Sequence, residues 1–437
     1  MTWQVPLALM VGMILCLMGV GLPVAFAFFL TNIVCIFIYF GGATGVAQMV
    51  SNFPSAVAVY GLTPMPLFLI MGSLFFRSGL GQGVFKAIDM CIGNLRARLS
   101  YLVVLSGAVF AALSGSSLAN TAMMGTSMVP EMLRRGYKPH MAFGPVLGAG
   151  GLAVIIPPSA LAVLLGSLAQ IDVGALLIAG AIPGLLLTVM YIALIAIQVR
   201  LDPESAPQFD ETPIYSLGEK LRALASNVIP MGVIIFLVVG TIILGIASPT
   251  ESAALGCAGV VALLLFFGRL RVDILWKSLE DAMKVTGMTF LIISASSTFA
   301  QVLAFTGASS GFINWSLAFQ LTPLTVLLVM VGIVLILGMF MDQVSMMLIT
   351  LPIFVPLAIG LQFDMVWFGL IMLLALEIGF TTPPFGMLLF VMLGIAPKGT
   401  TLRTVSLAAM PYIGCTIILV GLIIAFPNIA LWLPRVL

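Results

Sequence analysis

The sequence predicts an all-α polytopic membrane protein made of two inverted-topology repeats. Three observations predict it: an apolar composition, self-similarity at one fixed spacing, and basic residues confined to alternate connections. Of 437 residues, 62% are apolar and 7% charged, with a mean hydropathy of +1.25, whereas soluble domains carry roughly 25% charged residues. Stretches 5–22, 24–40, 175–199, 228–246 and 404–426 approach or exceed the roughly 20 apolar residues that span about 30 Å of hydrocarbon. About ten full crossings are expected on that length. Residues 1–6 lack the basic patch of a cleavable signal, so the first apolar segment is expected to stay as a transmembrane helix.

A net charge of +2 implies no nucleic-acid partner. Cys16, Cys35, Cys91, Cys257 and Cys415 are scattered without CxxC spacing, which predicts packing residues and neither a disulfide framework nor a metal site.

Laid against itself at a single offset, the sequence places Gly19 on Gly245, Pro23 on Pro249, Pro130 on Pro356, Pro157 on Pro383 and Pro158 on Pro384, each pair differing by 226 in the numbering. An offset of 228 places Gly79 and Gly83 on Gly307 and Gly311, and Pro183 on Pro411. The first repeat is thus expected over 1–200 and the second over 227–437, joined by a polar linker at 201–226.

Lys and Arg gather at 86–98, 134–138, 200–222 and 269–284, and at Lys398 and Arg403, whereas connections 41–55, 170–174, 306–323 and 362–364 hold none. Basic connections face the cytoplasm. With the linker on that side each repeat needs an odd number of crossings, five fitting every loop, and an odd repeat is inverted, a plan recurrent in secondary transporters.

Within the first repeat, apolar segments bracketed at both ends by Arg96/Arg98 and Arg134/Arg135 require a hairpin that enters and leaves on one side. It is expected at about 99–134, turning at Ser114-Gly115-Ser116-Ser117, with its counterpart at about 323–361 turning near Met339-Phe340-Met341-Asp342. Pro157-Pro158 and Pro383-Pro384 then break helices at about 141–170 and 364–395, because proline removes a backbone donor and disfavours helix in the residue before it.

Non-helical backbone at membrane depth is tolerated where it is buried or lines a wet cavity. Freed carbonyls and hydroxyls suit a hard monovalent cation, and helix N-termini at the tips suit an anion. The competing reading of one Pro-Pro is an ordinary kink, which its recurrence at one offset disfavours.

Among the ionisable residues, Asp342 either coordinates an ion or caps the helix that starts there. Glu251 is expected to close a cap in Ser248-Pro249-Thr250-Glu251. Glu377 either orients the second broken helix or pairs with a basic group, and Arg77 is expected to snorkel from the inner end of a span. His140 has no companion for a metal or general-base role, and no phosphate-binding loop is visible. The methionines and phenylalanines read as packing or lipid-facing residues.

Taken in order, Ser114-Gly115-Ser116-Ser117 with Ala119, Met128-Val129-Pro130, Arg135-Gly136-Tyr137, Ile156-Pro157-Pro158-Ser159, Pro249-Thr250-Glu251, Gly338-Met339-Phe340-Met341-Asp342 and Glu377-Ile378-Gly379 leading into Thr382-Pro383-Pro384 resemble the large membrane subunit of the tripartite ATP-independent periplasmic (TRAP) transporters. The resemblance spans nearly the whole chain.

It implies a sodium-coupled, elevator-type ion transporter fold in the bacterial cytoplasmic (inner) membrane, with no cofactor beyond Na+ as coupling ion. It also implies a small four-helix membrane subunit and a soluble periplasmic substrate-binding protein as partners, and a small organic anion as solute. Carried over, sodium site 1 would use Ser114, Ser116 and Asn120 with Ala153, Ile155 and Pro157. Sodium site 2 would use Gly338, Met341 and Asp342 with Gly379 and Thr382. Ser117, Asn120, Thr121, Ser159 and Thr381 are the candidates for touching the solute. A single-component sodium/dicarboxylate symporter is the alternative, but its Ser-Asn-Thr triplet is absent from both tips. An intramembrane enzyme lacks the paired catalytic groups it needs, and a passive channel explains the hairpins and breaks less well.

Overall fold

In the computed structural model, residues 3–207, 215–318 and 321–436 are described, and every regular element among them is helical. Six helices are long and apolar enough to cross a membrane: Val173–Leu201, Leu217–Ile243, Pro249–Phe266, Val272–Phe305, Gln343–Gly360 and Leu402–Ala425. Counting Ala43–Val57 with Tyr60–Arg77, and Pro139–Ile155 with Ala160–Ala169, as bent spans raises this to eight. Among the described residues six to eight spans thus meet the full length, against the about ten crossings expected. Gln4–Gly19, Val24–Tyr39, Arg98–Ser114, Pro323–Gly338 and Met365–Thr381 are apolar but shorter. A 16-residue helix rises only about 24 Å. The first two of these stop near Gly21 (φ +92°) and Gly41 (φ +73°), a conformation that glycine adopts without steric cost.

Stretches expected to be loops or linker are also helical: Ala43–Val57, Ala308–Ala318 and, in the linker, Leu217–Asn227. The last was concealed by its polar composition. Its apolar residues Leu217, Leu221 and Leu224 recur at helical spacing, and Ser216 and Glu219 close a capping box at its start. Glu251 closes the same box with Ser248, as expected. Its Oε2 accepts from the Ser248 nitrogen at 2.7 Å.

Both arms of the first hairpin, Arg98–Ser114 and Ser117–Arg134, pack on Pro139–Ile155. That helix is buried at every residue from Met141 to Ile155. Met365–Thr381 is likewise buried from Phe368 to Thr381 and packs against Pro323–Gly338, Val173–Leu201 and Leu402–Ala425. Leu402–Ala425 also packs on Pro139–Ile155, which knits the two halves of the chain into one core. A second group, Val24–Tyr39, Pro64–Arg77, Pro249–Phe266 and Val272–Phe305, packs mainly within itself and forms a wall beside that core. Large apolar side chains such as Phe266 and Trp276 face outward from the wall helices or their ends, the arrangement hydrocarbon favours over water.

The order of elements recurs. The second arms of the hairpins begin at Ser117 and Gln343, and the helices that follow begin at Pro139 and Met365, both pairs at the same offset that aligns the prolines.

Candidate functional site

The first tip is a two-residue link, Gly115 and Ser116, where Gly115 takes φ +56°. A Cβ on Gly115 would stand 3.0 Å from the Ala160 nitrogen and 3.4 Å from the Pro158 oxygen, so the tip lies directly against the first Pro-Pro break. Ser116 caps the second arm, its Oγ accepting from the Ala119 nitrogen at 3.4 Å, and the Ser114 Oγ accepts from the Ser116 nitrogen at 3.4 Å. One turn on, the Asn120 Nδ2 donates to Gly107 O at 3.1 Å and Ala149 O at 2.8 Å, tying both arms to the buried helix. The Asn120 Oδ1 stays buried with no hydrogen-bond partner.

At the second tip Asp342 caps Gln343–Gly360. Its Oδ2 accepts from the nitrogens of Val344 (3.1 Å) and Ser345 (3.2 Å), and its Oδ1 accepts from the Ser345 hydroxyl. Here too the hairpin meets a broken helix through glycine. A Cβ on Gly338 would stand 2.4 Å from the Gly379 Cα. At the second break the Thr382 nitrogen donates to Gly379 O at 3.1 Å, and the Thr382 hydroxyl donates to Ile378 O at 2.6 Å. Pro157-Pro158 and Pro383-Pro384 are both joined by cis peptides.

The structure brings the two tips together on one carboxylate. Glu377, 5% exposed, accepts at Oε2 from the Ser117 hydroxyl at 2.7 Å and from the Gln343 Nε2 at 2.5 Å. The Thr381 hydroxyl donates to the Glu377 backbone oxygen at 3.0 Å. Of the two roles expected for Glu377, a basic partner is absent among the described residues. A buried carboxyl lacking a basic partner needs directed hydrogen-bond donors, and those come from the first residue of each hairpin's second arm. Gly151 faces the same carboxylate, where a Cβ would stand 2.8 Å from Oε1.

A cavity of about 960 Å³ runs between core and wall and is lined by Ser114, Gly115 and Ser116 of one tip and by Asp342 and Gln343 of the other. Arg77 and Asp281 line its wall side. Arg77, expected to snorkel, is instead paired with Asp281 at 2.7 Å. The two lie far apart in sequence, and nothing in the local pattern of either announces the pair.

The sequence-derived ion-site residues therefore fall at the two tip-and-break junctions. Ser114, Ser116 and Asn120 lie on the first hairpin, with Ala153 and Ile155 in the last turn of the facing helix and Pro157 in its break. The Ile155 carbonyl presses against Gly180, where a Cβ would stand 2.2 Å from its oxygen. Gly338, Met341, Asp342, Gly379 and Thr382 form the second group.

The solute candidates Ser117, Asn120, Thr121, Ser159 and Thr381 are all buried and are not among the residues that line the cavity. Ser117 and Thr381 serve Glu377, Ser159 caps Ala160–Ala169, and the Thr121 hydroxyl is buried without a partner beside Gly150. Sequence reasoning missed Gln343. Its only signal is that the repeat offset aligns it with Ser117.

The family profile described as "Tripartite ATP-independent periplasmic transporter, DctM component" matches residues 11–429. The chain is 34% identical over 379 residues to the C4-dicarboxylate TRAP transporter large permease protein DctM of Pseudomonas aeruginosa, covering 86% of each chain. It is 27% identical to the sialic acid TRAP transporter permease protein SiaT of Haemophilus influenzae, over 99% of this chain and 69% of that protein. It is 26% identical to the ectoine TRAP transporter large permease protein TeaC of Halomonas elongata, over 98% and 97%. Among solved structures, the Alcanivorax borkumensis YdaH transporter superposes with a TM-score of 0.61 at 16% identity, covering 89% of this chain and 90% of that one, a likeness of fold.

Proposed function

This chain belongs to the DctM component family of the tripartite ATP-independent periplasmic transporters, and we propose that it is the large permease subunit of a sodium-coupled importer of small organic anions. A soluble periplasmic protein delivers the solute, and a small four-helix subunit completes the membrane part. The protein sits in the bacterial inner membrane with its basic connections inside. C4-dicarboxylates, sialic acid and ectoine, which relatives are named for, all bear a carboxylate, and a solute of that kind is the class proposed here.

The observation that bears most on mechanism is the matched pair of junctions, where Gly115 packs on the first Pro-Pro break and Gly338 on Gly379, one turn before the second. Oxygen-rich, non-helical backbone at such junctions is where transporters with broken helices hold coupling ions. Two inverted repeats carry one junction each. The tips move together with the broken helices as one body, because Ser117, Gln343 and Glu377 join them, and the wall helices act as the scaffold they slide against. Sodium at the junctions orders the tips, and the anion occupies the cavity that both tips line.

The test is thermal unfolding of the purified chain in sodium against choline at matched ionic strength. Binding to the folded state alone stabilises by RT ln(1 + [L]/Kd), about 2.7 kcal/mol at a hundredfold excess. A sodium-specific rise is expected, and equal unfolding in both salts refutes sodium binding at the junctions.

A further inference from the structure

Among the described residues that line the large cavity, Arg77 is the sole cation. Its Nε donates to the Asp281 Oδ2 at 2.8 Å, its Nη2 reaches the same oxygen at 2.7 Å, and the Ser73 hydroxyl donates to that oxygen at 3.0 Å. Asp281 therefore grips one edge of the guanidinium with a single oxygen. A guanidinium offers five N–H donors in a rigid planar fork. The Nη1 group has no protein partner among the described residues, and the side chain is 38% exposed where it lines the cavity. The outer edge, Nη1 with the second hydrogen of Nη2, is thus fixed in direction and unused.

We propose that Arg77 is the carboxylate-binding residue of this cavity. The outer edge of its guanidinium receives the carboxylate of the transported anion through two parallel N–H donors, and Asp281, anchored by Ser73, is the positioning residue that holds that edge in place. This rests on the reading of the chain as an anion importer. The chemistry fits a carrier's needs. Arg is the side chain suited to bidentate recognition of a planar carboxylate. The Asp281 charge leaves the pair neutral, so the anion is held by directed donors rather than by net charge and can leave again. A cavity of about 960 Å³ lies at the upper end of the roughly 300–1,000 Å³ that small-molecule sites occupy.

The rival account is an ion pair that merely joins Pro64–Arg77 to Val272–Phe305. Equilibrium binding of radiolabelled succinate, N-acetylneuraminate and ectoine to the purified chain in sodium, with thermal unfolding in sodium and choline alongside, separates the two. R77Q is expected to weaken carboxylate binding at least about tenfold, as loss of a charged hydrogen-bonding partner does, while keeping its sodium response. R77K, which keeps the charge without the fork, falls between. The swap R77D/D281R restores the ion pair and thermal stability but not carboxylate affinity. Carboxylate binding by R77Q equal to the parent, or full recovery of binding in the swap, overturns the proposal. Failure of the parent to bind any of the three carboxylates overturns it too, even where sodium still stabilises. Loss of carboxylate binding in R77Q without any sodium effect in the parent supports Arg77 and refutes the sodium coupling instead.

Discussion

Gly338→Ala is the sharpest test of the second junction. The added Cβ would lie 2.4 Å from the Gly379 Cα and 2.5 Å from its carbonyl carbon. Carbon atoms in good contact sit about 3.5–4.0 Å apart, so the two backbones must part by about 1 Å. No side-chain rotation relieves a clash of backbone on backbone. Forcing extra volume into a close-packed contact of this kind costs about 1–3 kcal/mol. The same displacement moves Gly338 and Gly379, two of the residues assigned to sodium site 2, so sodium affinity should fall at least about tenfold, or about 1.4 kcal/mol.

The assay is the unfolding midpoint of purified protein titrated with sodium chloride against choline chloride. Gly332→Ala is the control, because it lies in the same helix, Pro323–Gly338, and meets nothing within 4 Å. Ala is the better helix former by about 0.8–1.0 kcal/mol, so this variant should be neutral or slightly stabilised. Gly338→Ala with the parent's midpoint and sodium response would refute the close approach. Equal losses in both variants would show that any added methyl in this helix is harmful, for reasons unrelated to the junction.

Asp342→Asn keeps an acceptor for the Val344 and Ser345 nitrogens, whereas Asp342→Ala should lose about 1 kcal/mol of cap stability; sodium dependence lost already in the Asn variant marks a direct ligand, and sodium dependence retained there marks a cap alone. Glu377→Ala strands the Ser117 hydroxyl and the Gln343 amide, at about 1–3 kcal/mol each, so adding Ser117→Ala in that background should cost less than Ser117→Ala alone, which thermal unfolding of the double-mutant cycle reads. The Lys138 ammonium, 2.6 Å away, holds the Asp202 carboxyl below its usual range. A depressed carboxyl contributes stability that is full above roughly pH 4 and is lost as pH falls through the lowered value. Lys138 and Asp202 are both partly exposed and screened, so Asp202→Asn should lower the unfolding midpoint slightly near neutral pH, with the gap closing in acid.

What the sequence displayed was what neighbouring residues decide. The hairpin turn at Gly115 and Ser116 follows from arginines bracketing both ends of two apolar runs, and the breaks follow from Pro157-Pro158 and Pro383-Pro384. The Ser248–Glu251 cap lies within a single helical turn and reads directly. Amphipathic helices such as Leu217–Asn227 hid in polar composition, because their apolar stripe is only three leucines wide. Contacts across the fold left no trace. Arg77 and Asp281 lie 204 residues apart, and Ser117 and Glu377 lie 260 apart. No local pattern encodes a partner that only tertiary packing brings into hydrogen-bonding reach.

The geometry around Glu377 bears on the inverted repeat itself. Positions aligned by the repeat offset meet here: Gly151, which that offset aligns with Glu377, is the residue whose missing side chain leaves room for that carboxylate. Ser117 and Gln343 are counterparts too, and both donate to one Glu377 oxygen. One carboxyl between Ser117 and Gln343 is shared by both hairpin arms, whereas two facing each other would compete for the same space and the same two donors. Gly151→Glu alone should therefore be strongly destabilising, and Glu377→Gly alone should leave two donors stranded. The swap Gly151→Glu/Glu377→Gly moves the carboxylate to the facing helix at the position the repeat offset aligns with it and is expected to keep one acceptor between the same two donors. Thermal unfolding should place the swap above the sum of the two single losses by about 1–3 kcal/mol, the desolvation cost regained when stranded donors are satisfied. Additive losses would mean that a carboxylate at position 151 does not reach the Ser117 and Gln343 donors, and that the repeat offset aligns the sequence without making the two positions interchangeable.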